Sequence, residues 1–104
     1  MKEPILAVDP GKTGGLAFRN YEGDITLRKW TTEADFLEYC NDKVFPEVDH
    51  AVVEDVPVFV SGATSNASSF KLGHNFGFIC GAIQANFIPL ELAKPREWQK
   101  GLHG

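Results

Sequence analysis

Two carboxylates in this 104-residue chain stand where chemistry could be done: Asp9, closing the apolar run Ile5-Leu6-Ala7-Val8, and Glu54, closing Ala51-Val52-Val53. If both runs are strands and the strands are parallel neighbours, the two side chains emerge at one edge of a sheet. Hard divalent cations take oxygen ligands of this kind, and two such ions can clamp the attacking and leaving oxygens of a phosphodiester. The stretch around Asp9, LAVDPGKTGGLAF, also contains Gly-Lys-Thr, the usual end of a nucleotide-phosphate loop. That loop needs a glycine five positions before Gly11, and the position holds Leu6. The residues between continue an apolar strand and do not supply a ring of amides around a phosphate. On this segment alone Asp9 also reads as a turn cap, because Asp before Pro-Gly is common turn chemistry.

The elements that would position these groups follow from patterning. Ile5 to Asp9, Gly15 to Arg19 and Asp24 to Trp30 are short strand-like runs, the last two joined by the turn Asn20-Tyr21-Glu22-Gly23. Thr31 or Thr32 then precedes EADFLEYCNDKVF, whose Phe36, Leu37, Cys40 and Val44 recur at helical spacing. The run Ala51-Val52-Val53 lacks polar alternation and suits a strand covered on both faces. Residues 58–66, VFVSGATSN, are irregular, and a long helix is expected over Ala67–Phe87, capped by Asn66 or Ser65. Its Leu72, Phe76, Ile79, Ile83 and Phe87 form an apolar stripe. Gly73, Gly77 and Gly81 form a second stripe at intervals of four. A helical glycine costs roughly 1 kcal/mol relative to alanine, so three on one face imply close approach of another backbone. Ile88 to Leu92 reads as a last strand, and Pro95 sits near the start of a further helix. The order β-β-β-α-β-α-β-(α) demands that strands reached through helices run parallel to a neighbour.

Bulk properties set the class. The length is that of one domain, and 43% hydrophobic with 23% charged residues is ordinary for a soluble globular protein. No apolar run is long enough to span a bilayer and the amino terminus does not resemble a signal, so a cytoplasmic location with no membrane partner is expected. Cys40 and Cys80 read as reduced core residues. The net charge of -4 is uneven. Residues 1–57 carry 6 basic and 12 acidic side chains, residues 58–104 carry 4 and 2, so the second half could dock a polyanion while the first holds cations. His50, His74 and His103 form no metal-spaced cluster and read as structural or surface residues.

The segments ILAVDPGKTGGLAF, AVVEDVP and SSFKLGHNFGFICGAIQANFIPLELAKPREWQKGLHG, in that order, resemble RuvC-type Holliday-junction resolvases, members of the ribonuclease H-like nucleases, and their phage versions more than the bacterial housekeeping enzyme. The resemblance covers almost the whole chain. It implies an α/β fold with a mixed five-stranded sheet in the order 3-2-1-4-5, strand 2 antiparallel, and a divalent-metal-dependent endonuclease that resolves four-way DNA junctions in a bacterial or phage-infected cell. It implies that Asp9 and Glu54 hold Mg²⁺ or Mn²⁺. It also implies DNA contacts from the loop after Glu54, with Phe59 as an apolar wedge beside Ser61, Thr64 and Asn66, and from Lys71, Lys94, Arg96 and Lys100. Gly73, Gly77 and Gly81 would face a second copy in a homodimer. For each lysine the plain alternative is a solvated surface residue, and for Phe59 a core or interface aromatic.

The family closes its site with two more acidic residues on a carboxy-terminal helix, and here nothing acidic follows Glu97. Asp55, beside Glu54, would point to the other face of a strand. The chain is therefore expected to be a domain truncated at its carboxy terminus, inactive or weakly active alone. Two rival readings stay open: a non-catalytic dimeric module that binds branched DNA, and a lobe of an actin-like ATPase, whose Asp-x-Gly-x-Thr phosphate turn DPGKT imitates.

Overall fold

The computed structural model describes residues 3–11, 14–55 and 66–94. Strands β1 (Ile5–Asp9), β2 (Gly15–Arg19), β3 (Ile25–Lys29), β4 (His50–Glu54) and β5 (Leu90–Ala93) form one sheet in the order β3-β2-β1-β4-β5. β2 pairs antiparallel with β1 and β3, whereas β1–β4 and β4–β5 are parallel. This is the mixed sheet that the resemblance implied, with the parallel pairs that the element order demanded. Both parallel pairs are reached through helices, α1 (Glu33–Tyr39) and α2 (Asn66–Ala85).

Local chemistry sets each boundary. Asn20 Oδ1 accepts from the backbone N–H groups of Glu22 and Asp24, and Gly23 takes φ 97°, which closes the β2–β3 turn. Thr32 caps α1 by accepting from the Asp35 N–H, and Asp35 in turn accepts from the Thr31 N–H and pairs with Arg28 at 2.8 Å. The helix then widens into one π-helical turn, Cys40–Val44, where the Phe45 N–H reaches the Cys40 carbonyl at 2.7 Å. That turn keeps Cys40 and Val44 fully buried. Burial pushes the Cys40 thiol up to about 12, and both cysteines are free, as expected.

The long helix begins at Asn66 and ends at Ala85, two residues before the expected Phe87. It stops in a Schellman arrangement: the Phe87 N–H donates to the Gln84 carbonyl, the Ile88 N–H to the Ile83 carbonyl, and Phe87 adopts φ 58°. Ile79 and Ile83 of the apolar stripe are fully buried and Phe76 packs beside them, but Phe87 is 93% exposed because the left-handed residue turns it off the stripe. The last strand accordingly starts at Leu90, not at Ile88.

The core lies on one face of the sheet. Leu6, Val8, Leu16, Phe18, Ala51 and Val53 meet Phe36 of α1 and Ile79 and Ile83 of α2. The opposite face presents Ile5, Ala7, Ala17 and Val52, half-buried, and on β3 Ile25 and Leu27, both exposed. The expectation that β4 is covered on both faces is not met among the described residues. Its burial alternates, with Val52 half-buried, because both helices pack on the same side. No helix among the described residues is long and apolar enough to cross a membrane.

Candidate metal and nucleic-acid site

Asp9 is the last residue of β1 and Glu54 the last of β4, one step beyond the paired Val8 and Val53. Parallel pairing therefore brings the two carboxyl groups to the same edge of the sheet. Because Val8 and Val53 enter the core, strand alternation puts Asp9 and Glu54 on the opposite, less covered face. Asp9 Oδ1 accepts from the Gly11 N–H at 2.9 Å, which tightens the Asp-Pro-Gly turn. The turn-cap role read from sequence is thus real, and it coexists with the pairing to Glu54.

The two groups feel each other. Partial burial, the Asp9 charge and a hydrogen bond to Asp9 hold Glu54 at about 7, above its ordinary 4.5. Above that range two negative charges compete for one corner, the condition that a bound cation relieves. The donor set, two carboxylates and no soft ligand, fits a hard ion such as Mg²⁺ or Mn²⁺. No group of three or more His, Cys, Asp or Glu residues converges among the described residues, so this part of the chain brings Asp9 and Glu54 together without a third such side chain. Asp55 lies beyond the strand, exposed, with its N–H donating to the Ala93 carbonyl.

Two of the expected DNA-contacting cations are described. Lys94 directly follows Ala93, the register partner of Glu54, and so stands at the same strand edge. Lys71, on α2, shares a cavity of about 440 Å³ with Gly11 and Gly14 of the β1–β2 turn and with Trp30, Thr31 and Asn75. Asn66 opens α2. Phe59, Ser61, Thr64, Arg96 and Lys100, and the helix expected near Pro95, lie outside the described residues.

A Cβ on Gly77 or Gly81 would meet nothing within 4 Å among the described residues, so neither glycine makes room for the sheet or for α1. Gly73 is half-buried, and the exposed Phe70 lies on the same helix. His74 and His50 are surface residues, as expected, each facing a carboxylate: Glu33 at 2.7 Å and Glu91 at 3.3 Å.

Sequence reasoning missed Gly14 and Trp30. A Cβ at Gly14 would lie 2.8 Å from Trp30 Cζ2 and 2.9 Å from the Asp9 carbonyl oxygen, so the indole edge rests directly on the turn that carries Asp9. Only the pairing of β2 with β3 brings Trp30 there, its backbone N–H donating to the Gly14 carbonyl at 3.4 Å. The second glycine of Gly14-Gly15 was the one available signal.

Compared by sequence, the chain matches no family model and no curated protein. Compared by fold, it is similar to T. thermophilus RuvC in complex with a Holliday junction substrate, with a TM-score of 0.65 and 16% identity, over 95% of this chain and 69% of that one. It is also similar to a second Thermus thermophilus RuvC structure, with a TM-score of 0.54 and 20% identity, over 88% of this chain and 64% of that one. The chain thus spans about two thirds of the length of these structures. Sheet order, strand direction and crossovers together give it the ribonuclease H-like α/β fold that RuvC also has.

Proposed function

We propose that the chain carries the nuclease fold of a divalent-metal-dependent endonuclease that hydrolyses phosphodiesters in branched DNA such as four-way junctions. The observation that carries this reading is the meeting of Asp9 and Glu54 at the ends of adjacent parallel strands in a ribonuclease H-like sheet. The likeness in fold to a RuvC that is bound to a Holliday junction substrate supports the choice of DNA.

Asp9 and Glu54 would hold Mg²⁺ or Mn²⁺, which when bound neutralises charge at the reacting phosphate and lowers the pKa of its water. The Gly11 N–H fixes Asp9 Oδ1 at 2.9 Å and so orients the carboxylate that would hold the ion. Glu54 must lose its proton to serve as a ligand, so ion binding and deprotonation are linked. Lys71 and Lys94, with Arg96 and Lys100, would take backbone phosphates, and Phe59, Ser61, Thr64 and Asn66 would meet the branch point. The open α2 face around Gly77 and Gly81 would seat a second copy, so that two acidic pairs address two strands.

The test is direct. Mn²⁺ binding by residues 1–104 should be weak and abolished by Asp9→Asn or Glu54→Gln. Junction cleavage should be poor until further acidic ligands are added downstream, because two ions in an in-line displacement need more oxygens than two carboxylates provide. Efficient cleavage that survives Asp9→Asn would sink the proposal. Tight ATP binding by this chain would favour the actin-like ATPase instead, and junction binding with no cleavage in the extended chain would favour the non-catalytic module.

A further inference from the structure

The cavity that contains Lys71 lies where the β1–β2 turn, the start of α1 and the first turns of α2 converge, beside the turn that holds Asp9. Four of its lining residues carry side-chain hydrogen-bond donors: Lys71, Asn75, Thr31 and Trp30. The Trp30 indole Nε1–H is a buried donor with no acceptor, the one buried side-chain polar atom left unpaired among the described residues. Indole can donate and cannot accept, so what is missing there among the described residues is an acceptor. The ring edge adjoining Nε1, Cε2 and Cζ2, lies against Gly14, itself part of the lining.

Donor chemistry, not net charge, selects the kind of acceptor. The lining holds one carboxylate, Glu33, hydrogen-bonded through one oxygen to His74 Nε2 at 2.7 Å, and one ammonium, Lys71, which balances it. A metal ion would find one already engaged carboxylate, and an apolar group would leave the indole N–H unpaired. A compact oxyanion with several acceptor oxygens answers all four donors, and phosphate is the oxyanion that a nucleic-acid strand supplies.

We propose that this cavity is a phosphate subsite, with Lys71 and the Trp30 indole N–H as its donors, that seats a non-scissile backbone phosphate of the strand bound at Asp9 and Glu54. The proposal rests on the reading of the chain as a DNA-binding protein. It adds a positioning role: a phosphate held here fixes the register in which the neighbouring phosphodiester meets the acidic pair, without touching the reacting atoms.

The indole ¹⁵N–¹H resonances of the full chain provide the readout. The chain has two tryptophans, Trp30 and Trp98, and Trp98→Phe assigns the peak of Trp30. Oligothymidine should move the Trp30 indole proton downfield, and inorganic phosphate should do so at higher concentration. Trp30→Phe and Lys71→Met should each weaken oligothymidine binding by about tenfold, the usual effect of losing a hydrogen bond to a charged group. Lys71→Met should also flatten the salt dependence by about 0.7 in slope. Lys71 is exposed, so its variant reports even where Trp30→Phe loses packing. Oligothymidine that binds while the Trp30 peak stays still, or that binds Lys71→Met as tightly as the parent, overturns the subsite and leaves the nuclease reading intact. A Trp30 peak that moves with inorganic phosphate or ATP in a chain that binds no DNA overturns both.

Discussion

Glu54 and Asp9 end neighbouring parallel strands, where partial burial, the Asp9 charge and a hydrogen bond between the two raise Glu54 above the ordinary carboxylate range. Without a cation the pair is a proton trap, and the consequences for pH can be worked out. Glu54 is held at about 7 against an ordinary 4.5, so the native state keeps a proton that the unfolded chain releases earlier. The stabilisation is fully present below about pH 4.5 and is lost as pH rises through about 7. Allowing for solvent screening at a half-exposed group, the loss should be about 1–2 kcal/mol. Thermal unfolding of metal-free protein should show a midpoint several degrees lower at pH 8 than at pH 5, and Glu54→Gln should remove most of that dependence. Mn²⁺ should bind more tightly as pH rises through about 7. A parent and a Glu54→Gln variant with the same pH profile would show that the pair is not coupled.

Gly14→Ala should damage the fold more than its single methyl suggests. The new Cβ would stand 2.8 Å from Trp30 Cζ2 and 2.9 Å from the Asp9 carbonyl oxygen, and the second of these is backbone that cannot rotate away. Overpacking of this kind costs about 1–3 kcal/mol, read as a lower denaturant midpoint with unchanged slope. A neutral result would mean that the β1–β2 turn yields easily.

Phe87→Gly should stabilise the chain. Phe87 occupies the left-handed position of the α2 Schellman cap while its ring is 93% exposed, so little packing is lost with the side chain. Left-handed backbone costs an L-residue roughly 1–2 kcal/mol, offset by glycine's greater freedom when unfolded, which leaves a gain of about 0.5–1 kcal/mol. Urea unfolding monitored by circular dichroism measures it. Destabilisation instead would show that the Phe87 ring has a packing partner.

Gly77→Leu separates folding from assembly. Nothing lies within 4 Å of a Cβ at Gly77 among the described residues, so the variant should fold with its thermal midpoint nearly unchanged. Sedimentation should then show a monomer where the parent is a dimer. A parent that is already monomeric at high concentration removes the dimer for this chain.

How far the sequence reached is visible at three places. Asp9 and Glu54 were legible because each closes a short apolar run, and a run that ends in a carboxylate marks a strand end whatever the rest of the chain does. The sheet order was legible only through the resemblance to RuvC-type resolvases; the helical spacing of Phe36, Leu37, Cys40 and Val44 showed that a crossover separates β3 from β4, which requires a parallel neighbour but does not say which one. The end of α2 was not. Its apolar stripe continues in sequence to Phe87, but the helix stops two residues earlier because Ile88 folds back beneath Ile83, a choice made by packing.

By itself, then, the sequence determined which candidate carboxylates stand at strand ends and which elements carry them, because strand and helix periods are written into neighbours along the chain. Tertiary structure alone decided that burial and Asp9 would raise Glu54 above the ordinary carboxylate range, that Gly77 and Gly81 would face outward, and that Trp30 would bring an unpaired donor beside Lys71. Each of these depends on distances between segments far apart in sequence, set by strand register and by the face on which both helices pack, and no local pattern encodes them.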